Sequence, residues 1–142
     1  MSTVGDVVRA IDGFAPFRSA YSGDPVGLQI GSASATVSTA TVSLDRSASA
    51  IDRCIETGTE LLVCHHPLIY RPLAHITDAS LDGRAAIDLI SHGIAFIAAH
   101  TNWDCAKGGV NDTLASLLGL TDVRPFGASG PSNETKMVVF AP

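Results

Sequence analysis

Between residues 39 and 119 the chain alternates short aliphatic runs with amphipathic stretches that close on glycine. TATVSL, residues 39–44, sets small or polar residues against Val and Leu, the period of a strand. SASAIDRCIETG comes next as a helix, with Ser47 as N-cap and Gly58 just past its end. ELLVC, residues 60–64, is the next strand, and Asp82 to His92 is a second helix closed by Gly93. IAFIAA, residues 94–99, is another strand, and Gly109 to Leu118 is a third helix ending at Gly119. Strands separated by single helices form βαβ units, whose crossovers build a mostly parallel sheet with helices on its faces. ELLVC and IAFIAA are almost continuously apolar, which suits strands covered on both sides.

On the N-terminal side, Val4, Val7, Val8 and Ile11 recur at helical spacing and predict a helix over Val4 to Phe14, with Ser2 or Thr3 as N-cap. YSGDPVGLQIG is rich in turn residues, with a short strand expected around Val26 to Ile30. DVRPF (122–126) and KMVVF (136–140) predict further strands around a loop of Gly, Ser, Pro and Asn. The expected fold class is therefore α/β, a three-layer α/β/α arrangement, with residues 1–142 as one domain.

Composition narrows the function classes. The apolar fraction is 46% and the charged fraction 16%, a globular balance. A net charge of -5 and the lack of any Lys/Arg cluster speak against a nucleic-acid surface. The N-terminal stretch carries Asp6 and Arg9 among its apolar residues, unlike a signal peptide, and no apolar run reaches a membrane span. Cys54, Cys64 and Cys105 are odd in number and at no zinc-finger or redox spacing, so reduced thiols in a cytoplasmic protein are expected.

Ligands of open parallel sheets bind beyond the carboxyl ends of the strands. ELLVC runs directly into His65-His66-Pro67, and IAFIAA directly into HTNWDC, residues 100–105, so the topology can bring both clusters to one rim. Imidazole and carboxylate together bind zinc, manganese, iron or nickel. Adjacent histidines on an extended chain point in opposite directions, and Pro67 keeps His66 out of helical geometry. That arrangement suits up to two ions, with Asp104 supplying a carboxylate to either; two ions about 3.5–4 Å apart activate water for hydrolysis.

Plainer readings compete. A single histidine at a strand end is more often a hydrogen-bonded rim residue than a ligand, and the pair plus a second His/Asp cluster brings the metal reading level with it. His75 reads as a loop residue and His92 as a cation near a helix C-terminus. Cys64 reads as core, Cys105 as a small apolar neighbour of the site, and Trp103 as core packing. GGVND, residues 108–112, is a weak anion-site signal without a P-loop pattern. Asp24 is either an acid of the site or a turn former, and the turn is the simpler role. No Gly-x-Ser-x-Gly elbow supports serine hydrolase chemistry.

CHHPLIY, AAHTNWD and GGVNDTLASLLGL, in that order and spacing, resemble the Nif-three-like dinuclear metal-centre family, many of whose members are described as GTP cyclohydrolase 1 type 2 homologues. DPVGLQIG and SLDRSASAIDRCIETGTELLVCHHP are similar to the family's N-terminal region, so the likeness runs from the first helix to about Leu120. The resemblance implies a dinuclear site with His65, His66 and Asp104 as metal ligands. It places His100 in the pocket as the catalytic residue, orienting a ligand or water and shuttling a proton. It further implies a metal-dependent hydrolase acting on an unidentified small molecule, assembled as a homo-oligomer, hexameric in the family, while charge and hydropathy leave no nucleic-acid or membrane partner expected. Members of this kind carry a second α/β half whose His-x-x-x-Glu motif completes the centre, and no His or Glu comes after Glu134 here. The alternative is therefore a catalytically incomplete metal-binding or interaction module.

Overall fold

The computed structural model describes residues 1–124. Helix α1 (Val4–Phe14) begins where expected, because Thr3 and Asp6 close a reciprocal cap: Asp6 N–H donates to Thr3 Oγ1 at 3.2 Å and Thr3 N–H to Asp6 Oδ2 at 2.7 Å. A two-stranded ribbon of β1 (Ser2–Thr3) and β3 (Thr36–Val37) flanks it. The principal sheet joins β2 (Gly27–Ile30), β4 (Ala40–Ser43), β5 (Leu61–Cys64) and β6 (Ala95–Ala98) in the order β2-β6-β5-β4. Helices α2 (Ala48–Thr57) and α3 (Leu81–Ser91) make the crossovers between its parallel strands. The one-turn α4 (Thr101–Asp104) and α5 (Val110–Leu117) complete the described chain.

The sheet is mixed and mostly parallel, as expected: β4, β5 and β6 run together, and β2 pairs antiparallel with β6. Both faces are covered. Leu62, Cys64, Phe96 and Ala98 face Ile51 and Cys54 of α2 and Ala85, Ala86 and Leu89 of α3. Leu61, Ala95 and Ile97 face Val4 and Ile11 of α1. Alternation along each strand thus feeds two cores, which explains why β5 and β6 read as continuous apolar runs. Gly58 ends α2 with φ 66°, a left-handed cap that costs glycine nothing. Gly31, at φ 100°, passes so close to β6 that a Cβ there would sit 2.8 Å from the Ala95 Cβ.

Register decides where chemistry can gather. Ser43 lies opposite Cys64, and Cys64 opposite Ala98, so the three parallel strands end on one rim. At the other end, Glu60 accepts from Ser38 Oγ at 2.8 Å, Thr39 Oγ1 at 2.7 Å and Thr39 N–H at 2.8 Å, tying the start of β4 to that of β5. Asp122 to Arg124 form no strand; the rest of DVRPF and all of KMVVF lie outside the described residues.

Phe96 is fully buried between α2 and α3, so Phe96→Ala should lower the unfolding free energy by about 3–5 kcal/mol in urea titrations. The hydroxyl and amide donors of Thr39 and Ser38 hold the Glu60 carboxyl at about 2, against 4.5 for an ordinary glutamate. Its stabilisation is complete above pH 4.5 and is lost as pH falls toward 2. Glu60→Gln should therefore be less stable than wild type at neutral pH, with the difference closing through that window in pH-dependent melts.

Candidate metal centre

The parallel ladder continues past β5, His65 N–H donating to Ser43 O at 3.3 Å and His66 N–H to Leu44 O at 3.0 Å. A bend at these two residues ends the regular alternation. The expected divergence of their rings is accordingly not observed: the centroids are 5.1 Å apart, and both rings approach His100, at 5.1 Å from His65 and 5.9 Å from His66. His65, His66 and His100 each offer a nitrogen to a cluster whose atoms all lie within 4.8 Å of one another.

Two of these rings are oriented by fixed acceptors. His65 Nδ1 lies 2.9 Å from Ala99 O, and because a carbonyl only accepts, Nδ1 carries the proton and Nε2 is left as a donor of electrons. His100 Nδ1 lies 2.8 Å from Asp24 Oδ1, which likewise frees its Nε2. Neutral imidazoles held this way are what divalent ions bind. Asp104, on α4, brings Oδ1 to 3.7 Å from His65 Nε2. That separation is long for a hydrogen bond and close to the roughly 3.3–3.6 Å between neighbouring atoms on a tetrahedral ion with ligands at about 2.0–2.2 Å. The donor set therefore fits a divalent cation, with ring rotation closing the wider imidazole spacing. Of the four residues expected at the site, His65, His66 and His100 cluster on the rim, and Asp104 approaches the cluster at His65.

The position of His100 is set by local structure. It leaves β6 through Ala99 and caps α4, its carbonyl accepting from Trp103 N–H at 2.8 Å and Asp104 N–H at 3.3 Å. One turn of helix thus carries Asp104 from the His100 cap to the His65 ring.

Asp24 does more than turn the chain. Its side chain is 4% exposed and, besides His100, accepts from Thr101 N–H at 3.1 Å and from the Thr101 hydroxyl. Burial alone would raise this carboxyl, but the bonds from Thr101 and His100 outweigh it and hold the group below its ordinary value. The simpler turn reading is incomplete. Asp24 is 76 residues from His100, and no local spacing announces such a pair.

Gln29 is a second residue that pattern reading passes over. Its Nε2 donates to Pro25 O at 2.7 Å and Ile69 O at 3.1 Å, and its Oε1 accepts from Leu68 N–H and Ile69 N–H, both at 2.9 Å.

Neighbouring features take minor roles. Burial pushes the Cys64 thiol up to about 12, with Asp45 and Cys54 adding to the rise, so it is a core side chain and no thiolate ligand. Cys105 is exposed, contrary to the apolar role expected of it. Trp103 is half-buried and packs edge-on against Phe14 at 5.0 Å, where a core position was expected. His75 and His92 are exposed and outside the cluster, and His92 Nδ1 lies 2.8 Å from Asp88 O at the end of α3. Ahead of α5, Gly108 N–H is taken by Asp112 Oδ2 at 2.7 Å, so the chain's own carboxylate occupies the GGVND turn.

Comparison with known proteins agrees with the fold and the motifs. A GTP cyclohydrolase 1 type 2 homolog of Halalkalibacterium halodurans is 38% identical over 136 residues, covering 96% of this chain and 37% of the relative. The crystal structure of a Bacillus cereus protein related to NIF3 superposes with a TM-score of 0.81 at 37% identity, over 86% of this chain and 34% of that one. Reduced HcgD from Methanocaldococcus jannaschii gives 0.80 at 32% identity, over 87% of this chain and 49% of the other. The chain thus spans between about a third and a half of the length of these relatives. A family model described as Duf34/NIF3 (NGG1p interacting factor 3) matches residues 2–140, and the chain belongs to that family.

Proposed function

We propose that this chain is the metal-binding portion of a divalent-metal-dependent hydrolase of the kind its relatives' name, GTP cyclohydrolase 1 type 2 homolog, suggests. His65, His66 and Asp104 hold zinc, manganese, iron or nickel, up to two ions, and the substrate is a small molecule. Bound divalent ions supply Lewis-acid activation of water and stabilise oxygen charge. The convergence of three imidazoles on adjacent strand ends carries the reading. His65 and His66 are held by the ladder to β4, and Ala99 O keeps the His65 proton on Nδ1. His100 presents Nε2 to the same space with Asp24 behind it, which supports its role as the group that takes a proton there and passes it on. Further ligands would come from polypeptide beyond the described residues, in keeping with the greater length of the relatives.

A second reading, a metal-binding interaction module without turnover, is supported by exposed apolar surface. Val42 is 80% exposed on the edge strand β4, and Val110, Leu114, Leu117 and Leu118 form an exposed stripe along α5. The same surface suits a homo-oligomer, a hexamer by resemblance to the family. Among the described residues no helix is long and apolar enough to cross a membrane, and the free thiols of Cys54, Cys64 and Cys105 support a cytoplasmic setting.

Elemental analysis of untagged protein beside a His65→Ala, His66→Ala double variant tests the first reading. One to two equivalents of metal per chain in wild type, lost in the double variant, is the expected result. No bound metal after zinc or manganese is restored would defeat the ligand assignment. Turnover that disappears with a chelator selects the hydrolase over the module. Light scattering should show association at high concentration that Leu114→Ser, Leu117→Ser weakens; a wild type that stays monomeric throughout would remove the oligomer.

A further inference from the structure

Gln29 lies outside the imidazole cluster, yet its amide touches the segment that delivers His65 and His66 and the turn whose Asp24 holds His100. A carboxamide has two N–H donors and two lone pairs, and the main chain of Pro25, Leu68 and Ile69 fills all four. Pro25 comes directly after Asp24, the residue that holds His100. Leu68 and Ile69 come directly after His65, His66 and Pro67.

A break in β2 places this side chain. Leu28 pairs with Ile97 and Ile30 with Phe96, leaving Gln29 as the extra residue of a β-bulge. In a regular strand Leu28 and Ile30 would share a face. Here Leu28 packs with the core under α1 and Ile30 with the core under α2 and α3. The bulge seats both apolar residues in opposite cores and leaves the amide between them to reach the two loops.

We infer that Gln29 is a positioning residue for the metal centre, clipping the 65–69 segment to the 24–25 turn so that His65 and His66 are set relative to His100 before any ion arrives. The role rests on the metal reading proposed above. Its physical basis is that a side chain bonded only to main chain transmits position without entering the coordination sphere. Losing it leaves the Leu68 and Ile69 amides unpaired in a partly buried turn, free to seek water and to move the histidines with them.

Three measurements on the full chain test the inference. In metal-free wild type, hydrogen exchange should show the Leu68 and Ile69 amides protected like those of β5. Exchange at loop rates until cobalt(II) is added would overturn the pre-set clamp. In cobalt(II) titrations monitored by absorption, Gln29→Ala should bind about 10–100-fold more weakly than wild type, with its far-UV circular dichroism unchanged. Gln29→Glu, which keeps acceptors for the two amides but repels the Pro25 and Ile69 carbonyls, should also bind more weakly and serves if the alanine variant does not fold. Glu60→Gln, which loosens the opposite end of the sheet, should stay within about twofold of wild type. Wild-type affinity in both Gln29 variants, or an equal loss in Glu60→Gln, would overturn the positioning role. A wild type that binds no cobalt at all is a different failure, that of the metal reading itself.

Discussion

The parallel pairing of β5 with β6 is the constraint on which the site depends. Because Leu61 to Cys64 lie opposite Ala95 to Ala98 residue for residue, both strands end together, and their continuations emerge side by side at the same rim. The ladder runs one step further, Ala99 N–H donating to Cys64 O at 2.9 Å, before the chains part into His65-His66 and His100. Ala99 then accepts from His65 Nδ1. A slip of one residue in this register would send the alternate apolar positions to the wrong faces as well as separating the histidines. Core packing on both sides of the sheet and the placement of the imidazoles are therefore satisfied by one alignment.

Around that alignment, polar side chains fix what strands alone leave loose. Glu60 pins the amino ends of β4 and β5, Gln29 acts beyond the carboxyl end of β5 and Asp24 beyond that of β6. All three bond to main-chain atoms of segments far away in sequence, so each converts a loop into a defined support. Asn102, fully buried one residue from Trp103, belongs with them: its Nδ2 donates to Ala15 O at 2.8 Å and anchors α4 to the end of α1. The site thus sits on loops that side-chain hydrogen bonds tie to distant parts of the chain.

Much of the architecture is legible from local pattern. Helix α1 occupies the expected Val4 to Phe14, α2 starts after its Ser47 cap and stops at Gly58, and the runs ending at Cys64 and Ala99 become the two central strands. These succeed because periodicity, caps and glycine stops are properties of neighbouring residues. The ribbon of β1 and β3 pairs only two residues on each strand, too few to carry a period, and α4 is a single turn built on the His100 carbonyl. Both exist because of what surrounds them.

The sequence by itself determined which residues are candidates for chemistry: His65-His66 and His100 stand directly after apolar strands, Asp104 follows one turn later, and βαβ order brings such ends to a common rim. Tertiary structure decided how those residues face one another. The bend at His65 and His66 turns both rings toward His100, although strand alternation alone would have separated them. Asp24 and Gln29 acquire their roles only when β2 lies antiparallel beside β6 and its bulge aims the amide at the 65–69 segment. The physical reason is one of range. Periodicity and capping act within a turn or two of chain, whereas a carboxylate meeting a histidine 76 residues away is bound by a contact that no short window of sequence contains.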